Sequence, residues 1–286
     1  MNDYPNKVEI YRNLINNGLK KIYPKGPNML REPINHVLKG KGKRLRPILT
    51  LISSELNSTP FEKVLPAALS IELLHNFTLI HDDIMDQDLI RHGLETIHSK
   101  WDENTAILSG DAMLAVSMKL LSESQLDNKT QVLGIFIEGL LSVCEGQAFD
   151  IEFEENFEVP FDDYINMIYL KTAYMIGLSA QIGGMASNLP LQECTLLKEY
   201  GENIGLAYQV QDDILELYSD EDSMSKTLDS DILLQKKTFI WASIENKNDR
   251  NELDSIMKTY MINKTDAIAE IRNLVSRLKI KDKANQ

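Results

Sequence analysis

The chain has 286 residues, 43% hydrophobic and 26% charged, with 30 basic against 43 acidic side chains and a net charge of −13. That length allows one large domain or two small ones, and the composition is that of a globular protein without low-complexity tracts or solenoid repeats. So acidic a chain is a poor partner for nucleic acid or an anionic membrane, which leaves local basic patches for small phosphates.

The first residues, MNDYPNKVEIYRNL, lack the apolar region of a signal peptide. No stretch has the ~20 uninterrupted apolar residues of a membrane span, so a cytoplasmic protein with no integral membrane segment is expected. Spacing predicts helices over about 6–20, 28–39, 44–56, 62–87, 103–121, 130–153, 161–187, 192–218, 229–246, 252–261 and 265–279. Leu73, Phe77, Ile80 and Ile84 carry the helical period, and Leu206, Val210, Ile214 and Leu217 repeat it. Proline agrees: none lies between Pro66 and Pro160 and none follows Pro190, and helix interiors exclude it. Breaks fall at NSTP, SESQLDNKT, ENFEVP, ASNLP and KNDRN, and the polar stretch Ser219 to Lys237 reads as a mobile lid. No composition shift marks a boundary, so residues 1–286 are expected to form one all-α domain. Cys144 and Cys194 have no CxxC partner and are expected as free thiols.

Two acidic clusters interrupt this apolar pattern. In FTLIHDDIMDQDLIRHG, His75, Asp82 and Asp86 stand at i, i+7 and i+11, one helical stripe, with Asp83 on its flank and the apolar residues on the other face. In YQVQDDILE, Gln209, Asp212, Asp213 and Glu216 share a face, and the carboxylates repeat the i, i+1, i+4 spacing. Either cluster alone reads equally well as a solvated acidic surface. Two matched copies facing each other would repel unless a cation lay between them. Oxygen-only donors on rigid helices suit Mg²⁺, which completes its shell with water and substrate phosphates. The basic turn GKGKRLRP supplies Lys41, Lys43, Arg44 and Arg46 beside glycines, a plausible phosphate clamp although not a Walker loop. Arg91, Lys171, Lys226 and Lys236 are further candidate cations. No HExxH, GxSxG or GxGxxG pattern occurs.

Together GKRLRP, HNFTLIHDDIMDQD, ILSGDAML, CEGQAFDIEF, YLKTA, YQVQDDILE and DILLQKKT resemble, in order and spacing from about Gly40 to Thr238, the trans-isoprenyl diphosphate synthases, or polyprenyl synthetases. The resemblance implies an all-helical isoprenoid synthase fold around a deep central cavity, in a homodimer. It implies that Asp82, Asp83 and Asp86, with Asp212, Asp213 and Glu216, hold three Mg²⁺ against an allylic diphosphate. Arg91, Lys171, Gln209, Lys226 and Lys236 match positions around that diphosphate. Lys43, Arg46 and His75 match the isopentenyl diphosphate site, and Thr172 and Gln209 match positions that in the family face the developing cation. The implied reaction adds isopentenyl diphosphate head-to-tail to dimethylallyl, geranyl or farnesyl diphosphate.

The chain departs from the family pattern in places. His92 replaces the second arginine of the usual Arg-Arg-Gly, which predicts weaker or pH-dependent isopentenyl diphosphate binding. Glu216 replaces an aspartate, and Ser225, Asp229 and Gln235 stand where glycines are common. By the same resemblance, Phe77, with Thr78 beside it, forms the cavity floor that stops chain growth. A bulky aromatic there and an uninserted first motif resemble geranylgeranyl (C20) synthases, with farnesyl (C15) next. A longer-chain synthase for quinone side chains, a non-catalytic subunit of a heteromeric synthase and a terpene cyclase remain alternatives.

Overall fold

The computed structural model describes residues 4–156, 158–218, 236–260 and 262–285. The apolar repeats become helices α1 (Tyr4–Leu19), α2 (Asn28–Leu38), α3 (Leu45–Ser54) and α4 (Phe61–Met85). A two-residue hairpin, β1 (Ile90–Arg91) with β2 (Leu94–Glu95), leads into the short α5 (Ile97–Lys100). The long α6 (Glu103–Glu123) and α7 (Lys129–Glu154) follow. Then come α8 (Phe161–Ile168), α9 (Tyr174–Ala186), α10 (Leu191–Glu216), α11 (Phe239–Ala242), α12 (Lys247–Thr259), α13 (Lys264–Arg277) and α14 (Ile280–Ala284). Local chemistry sets several ends: the Asp102 carboxylate accepts from the Thr105 amide at 2.8 Å to start α6, and Asn246 and Asn263 cap α12 and α13.

Helix α4 is central, packed by α3, α6 and α9. The expectation of one carboxylate face and one core face fails here. Val64, Leu69, Ile71, Leu73, Leu74 and Ile80 are buried together with Glu72, Asn76, Asp82 and Asp83. A helix that is apolar nearly all round belongs inside the bundle, so its carboxylates line an interior wall.

The predicted helix over 161–187 is interrupted. Residues Tyr169–Ala173 form a π turn between α8 and α9. Two glycines allow it: a Cβ on Gly146 of α7 would lie 2.4 Å from the Lys171 amide nitrogen, and one on Gly205 of α10 would lie 2.5 Å from Ala173 Cα. The turn is thus clasped between two helix backbones. The hairpin, α5 and α14 are too short to carry a period and were not predicted. Of the predicted 229–246 helix, the described part forms only α11, and the lid of Ser219 to Lys237 lies outside the described residues except for Lys236 and Lys237.

Two apolar clusters form the core. One gathers α1 to α4, α6, α7 and α9 around Leu51, Leu73, Phe136 and Leu178. The other gathers α8 and α11 to α14 around Tyr164, Trp241, Tyr260 and Ile271. Helices α4, α6 and α7 are, by length and composition, apolar enough to cross a membrane, which the rule of an uninterrupted run misses. In α4 that apolar window is 67% buried within the bundle. Helices α6 and α7 keep Ile107, Leu108, Ile137 and Leu141 exposed. Both cysteines are free thiols.

Candidate active site

One cavity of about 490 Å³ opens between the two clusters. Its polar lining comes from α3, α4, the hairpin, α7, the π turn and α10, and its apolar lining includes Phe77 and Val143 from one core cluster and Met167 and Ile168 from the other.

Among the polar lining, Asp82 lies 3.1 Å from Lys171 Nζ and 3.7 Å from Arg91 Nη2. Asp83, one flank over as its spacing predicts, accepts from Arg91 Nε, while Arg91 Nη2 donates to Asp88 at 2.9 Å. The hairpin exists to return Arg91 over α4: Thr96 anchors its far strand by donating from Oγ1 to the Asp88 carbonyl at 2.7 Å. Burial pushes the Asp83 carboxyl up to about 7 against the pull of Arg91. Burial and then Asp82 raise Asp86 as well, against Lys236 and Lys171.

The lysines converge on a residue to which sequence reasoning gave no role. Asp150 of α7 accepts from Lys171 at 2.6 Å and from Lys236 at 2.9 Å, and Lys236 also donates to Asp86 at 2.7 Å. Burial alone would raise Asp150, but Lys171 and Lys236 outweigh it and hold its carboxyl below the usual range. Burial would lower Lys171, yet Asp82 and Asp150 keep it above the usual lysine range. The signal for Asp150 was present in CEGQAFDIEF, at an acidic position on an otherwise apolar helix. The first-cluster carboxylates are paired with the chain's own Arg91, Lys171 and Lys236.

The π turn gives the cavity both Lys171 and Thr172. Thr172 Oγ1 donates to Gln209 Oε1 at 3.0 Å, and Gln209 Nε2 donates to Asp213 Oδ1 at 2.8 Å. Asp213 Oδ2 accepts from Tyr164 Oη at 2.8 Å and from the Phe239 amide at 2.7 Å. Asp213 therefore ties α8, α10 and α11 together, while its neighbour Asp212 is exposed on the cavity wall. Tyr164 is a second functional contact that the sequence did not mark. Lys226 lies outside the described residues, as does the side chain of Glu216.

The residues expected at a second substrate site, Arg46 and His75, line the same cavity. Arg46 Nη1 lies 3.2 Å from His75 Nε2. Burial, then Arg46, depress His75 well below its usual range, so its ring is neutral and Nε2 accepts. Arg46 Nε is buried in the cavity wall without a hydrogen-bond partner among the described residues, a donor left over for an anion. Lys43 is exposed and reaches Tyr208 Oη at 3.3 Å. His92 lines the same wall; burial, then Arg91, Arg44 and Lys43, lower it. Thr78 and Phe77 both line the cavity, and His81 stands edge-on to the Phe77 ring at 4.7 Å.

A helical bundle whose cavity is lined by aspartates, basic side chains and apolar side chains together is an isoprenoid synthase in architecture. The chain belongs to the polyprenyl synthetase family, whose profile matches residues 27–278. It is 42% identical over 222 residues to a short chain isoprenyl diphosphate synthase of Methanocaldococcus jannaschii, covering 77% of this chain and 67% of that one. It is 40% identical over 232 residues to a geranylgeranyl diphosphate synthase of Saccharolobus solfataricus, covering 80% and 70%. A solved geranylgeranyl pyrophosphate synthase superposes with a TM-score of 0.89 at 35% identity, over 100% of this chain and 89% of its own. The activity these likenesses support is that of a short-chain trans-prenyltransferase.

Proposed function

We propose that the protein condenses isopentenyl diphosphate with an allylic diphosphate, head to tail, and that its main product is geranylgeranyl diphosphate (C20), with farnesyl diphosphate (C15) the runner-up. The observation that carries this reading is one cavity lined both by the charged residues Asp82, Arg91, Lys171, Asp212 and Lys236 and by the apolar Phe77, Val143, Met167 and Ile168.

Divalent metal suits the donor set. Asp82 and Asp212 offer hard oxygens to the cavity from facing helices, and Asp83, Asp86, Asp213 and Glu216 complete the two clusters. No three such side chains among the described residues converge as a ready cage, because arginine and lysines engage the carboxylates instead. We propose Mg²⁺, three per site. When bound, it neutralises the departing diphosphate and polarises its allylic C–O bond.

The chain's own residues do the rest. Arg91, Lys171 and Lys236, with Lys226, hold the allylic diphosphate and stabilise the charge it gains as the C–O bond ionises. Lys43, Arg46 and His75 hold isopentenyl diphosphate so that its double bond faces the cation. Thr172 and Gln209 place oxygens near that cation, and Val143, Met167 and Ile168 keep water from it. The proton lost on bond formation passes to the released diphosphate.

The test gives purified enzyme, Mg²⁺ and labelled isopentenyl diphosphate with dimethylallyl, geranyl or farnesyl diphosphate in turn, and sizes the dephosphorylated products. A C20 alcohol supports the reading. Products of C30 or more place the floor elsewhere, and no product from any primer favours a non-catalytic subunit. In the same assay Phe77→Ala lengthens the product by one or more five-carbon units; an unchanged length rules Phe77 out as the floor.

His92 is neutral at pH 7, since its pKa lies below the usual value. The ring gains charge only as pH falls below the ordinary histidine range. His92→Arg is expected to lower the KM for isopentenyl diphosphate about threefold, the effect of a partly exposed charge pair of ~0.6 kcal/mol. The gap between the two KM profiles should narrow toward acid pH; identical profiles at all pH values would remove His92 from the site.

We further propose a single-domain, soluble, cytoplasmic enzyme that pairs as a homodimer through the exposed apolar residues Ile107, Leu108, Ile137 and Leu141 of α6 and α7. Sedimentation of the full chain tests the pairing, and a monomer at micromolar concentration refutes it.

A further inference from the structure

Within the turn Gly40–Pro47, positions 43–46 carry three cations, Lys43, Arg44 and Arg46, and they do not share a destination. Lys43 reaches toward Tyr208 of α10, and Arg46 toward His75 of α4. Arg44, between them, runs the other way and is 5% exposed. Its backbone is left-handed, φ 55° and ψ 33°, at the residue that begins α3. Only a few per cent of residues other than glycine adopt that conformation, and they persist where the surroundings over-determine them.

Those surroundings are specific. Arg44 Nη1 donates to Glu72 Oε1 at 2.6 Å, and Nε donates to Asn16 Oδ1 at 3.1 Å. Nη2 donates to the carbonyls of Leu38 at 3.0 Å and Gly40 at 2.8 Å, the end of α2 and the start of the turn. One planar guanidinium thus ties α1, α2, α4 and the turn together, a task that needs the fixed fork of arginine. Glu72 is equally buried and is steadied by Asn76, whose Nδ2 lies 3.3 Å from Oε1. Glu72 and His75 are three residues apart on α4, so a single turn of that helix grips the segment twice: Glu72 through Arg44, and His75 through Arg46. The Arg44 and Glu72 charges cancel, so the pair adds little field to the cavity and its effect is geometric.

We propose that Arg44, clamped by Glu72, is the positioning residue of the isopentenyl diphosphate subsite: it reverses the backbone so that Lys43 and Arg46, on either side, serve one anion. This rests on the reading of Lys43, Arg46 and His75 given above. A loosened turn leaves the allylic half of the cavity, built by the hairpin, the π turn and α7, where it was.

The experiment measures KM for each substrate with the other saturating, in the wild type, Arg44→Lys, Glu72→Gln, the double variant Arg44→Met with Glu72→Leu, and Lys43→Ala as a reference. Arg44→Lys keeps the charge opposite Glu72 but cannot span the four acceptors. The double variant removes both charges at once, which folds tolerate better than removing one, so the test does not depend on Glu72→Gln being stable. The expected result is a rise in KM for isopentenyl diphosphate of about ten- to a hundredfold, the cost of misplacing a binding group by an ångström or so. The allylic KM stays near that of the wild type, and melting shows folded protein. A folded Arg44→Lys and double variant with unchanged KM for isopentenyl diphosphate, or with both KM values raised alike, overturns the positioning role. A Lys43→Ala enzyme with unchanged KM for isopentenyl diphosphate instead overturns the subsite reading on which it stands.

Discussion

Asp82→Ala lowers turnover by at least about a thousandfold, beyond the loss of a single charge-stabilising group, and leaves the fold standing. Asp82 is 7% exposed and faces the cavity between Lys171 and Arg91. Removing it takes an oxygen donor from the first cluster and leaves the leaving diphosphate less well held. It leaves no buried charge stranded, because Lys171 keeps Asp150 at 2.6 Å and Arg91 keeps Asp83 and Asp88. Asp86 also loses a like-charged neighbour that raises its pKa. Stability is therefore expected to hold or rise slightly. Diphosphate release and thermal melting, measured on the same preparation, check both halves. Activity within tenfold of wild type would sink the assignment.

Asp150→Asn is expected to cost both activity and stability. Asp150 holds Lys171 and Lys236 together: it is the nearest acceptor of Lys171 at 2.6 Å, and it takes Lys236 at 2.9 Å, beside Asp86 at 2.7 Å. The amide keeps the shape and loses the charge, so two buried ammonium groups share only Asp82, Asp86 and the more distant Glu154. Breaking a buried pair costs about 3 kcal/mol, and a misplaced diphosphate clamp lowers kcat on the order of a hundredfold. The pH dependence has a definite sign. Asp150 has a depressed pKa in the folded state, so its stabilisation is in place above the unfolded carboxylate value and is lost as pH falls through the folded one. The stability gap between wild type and Asp150→Asn should stay constant through neutral pH and close only in acid, below the ordinary carboxylate range. Denaturant titrations at several pH values measure it; a gap that closes near pH 7 would contradict the geometry.

The long helices were legible because their apolar residues recur at helical spacing, as at Leu73, Phe77, Ile80 and Ile84. The burial of α4 on all sides was not, since a period marks which residues share a face but not how many neighbours a helix has. The π turn was invisible for a related reason: YLKTA reads as helix, and the extra residue is accommodated by Gly146 and Gly205, far away in sequence. In the site, the aspartate clusters announced themselves by being charged where greasy residues were due. Asp150 and Tyr164 did not, because their roles come from partners brought by other helices. The basic turn was read as one clamp of like cations, whereas burial divides it into Lys43 and Arg46, which line or approach the cavity, and Arg44, which supports them.

The pairing of Asp82, Asp86 and Asp150 with Lys171 and Lys236 has a consequence for how ligands enter. The carboxylates of the resting cavity are already paired with the chain's own ammonium groups, so a metal–diphosphate complex would not fill a charged void. Its binding would be an exchange of partners, in which Lys171 and Lys236 would turn from carboxylate to phosphate and Asp82 and Asp86 would be free to hold a cation. Metal alone would have to evict the lysines, and diphosphate alone would have to outcompete the aspartates. Arriving together, the two would leave these lysines and aspartates with new counterions, so the proposed site would act as an AND gate that needs both inputs.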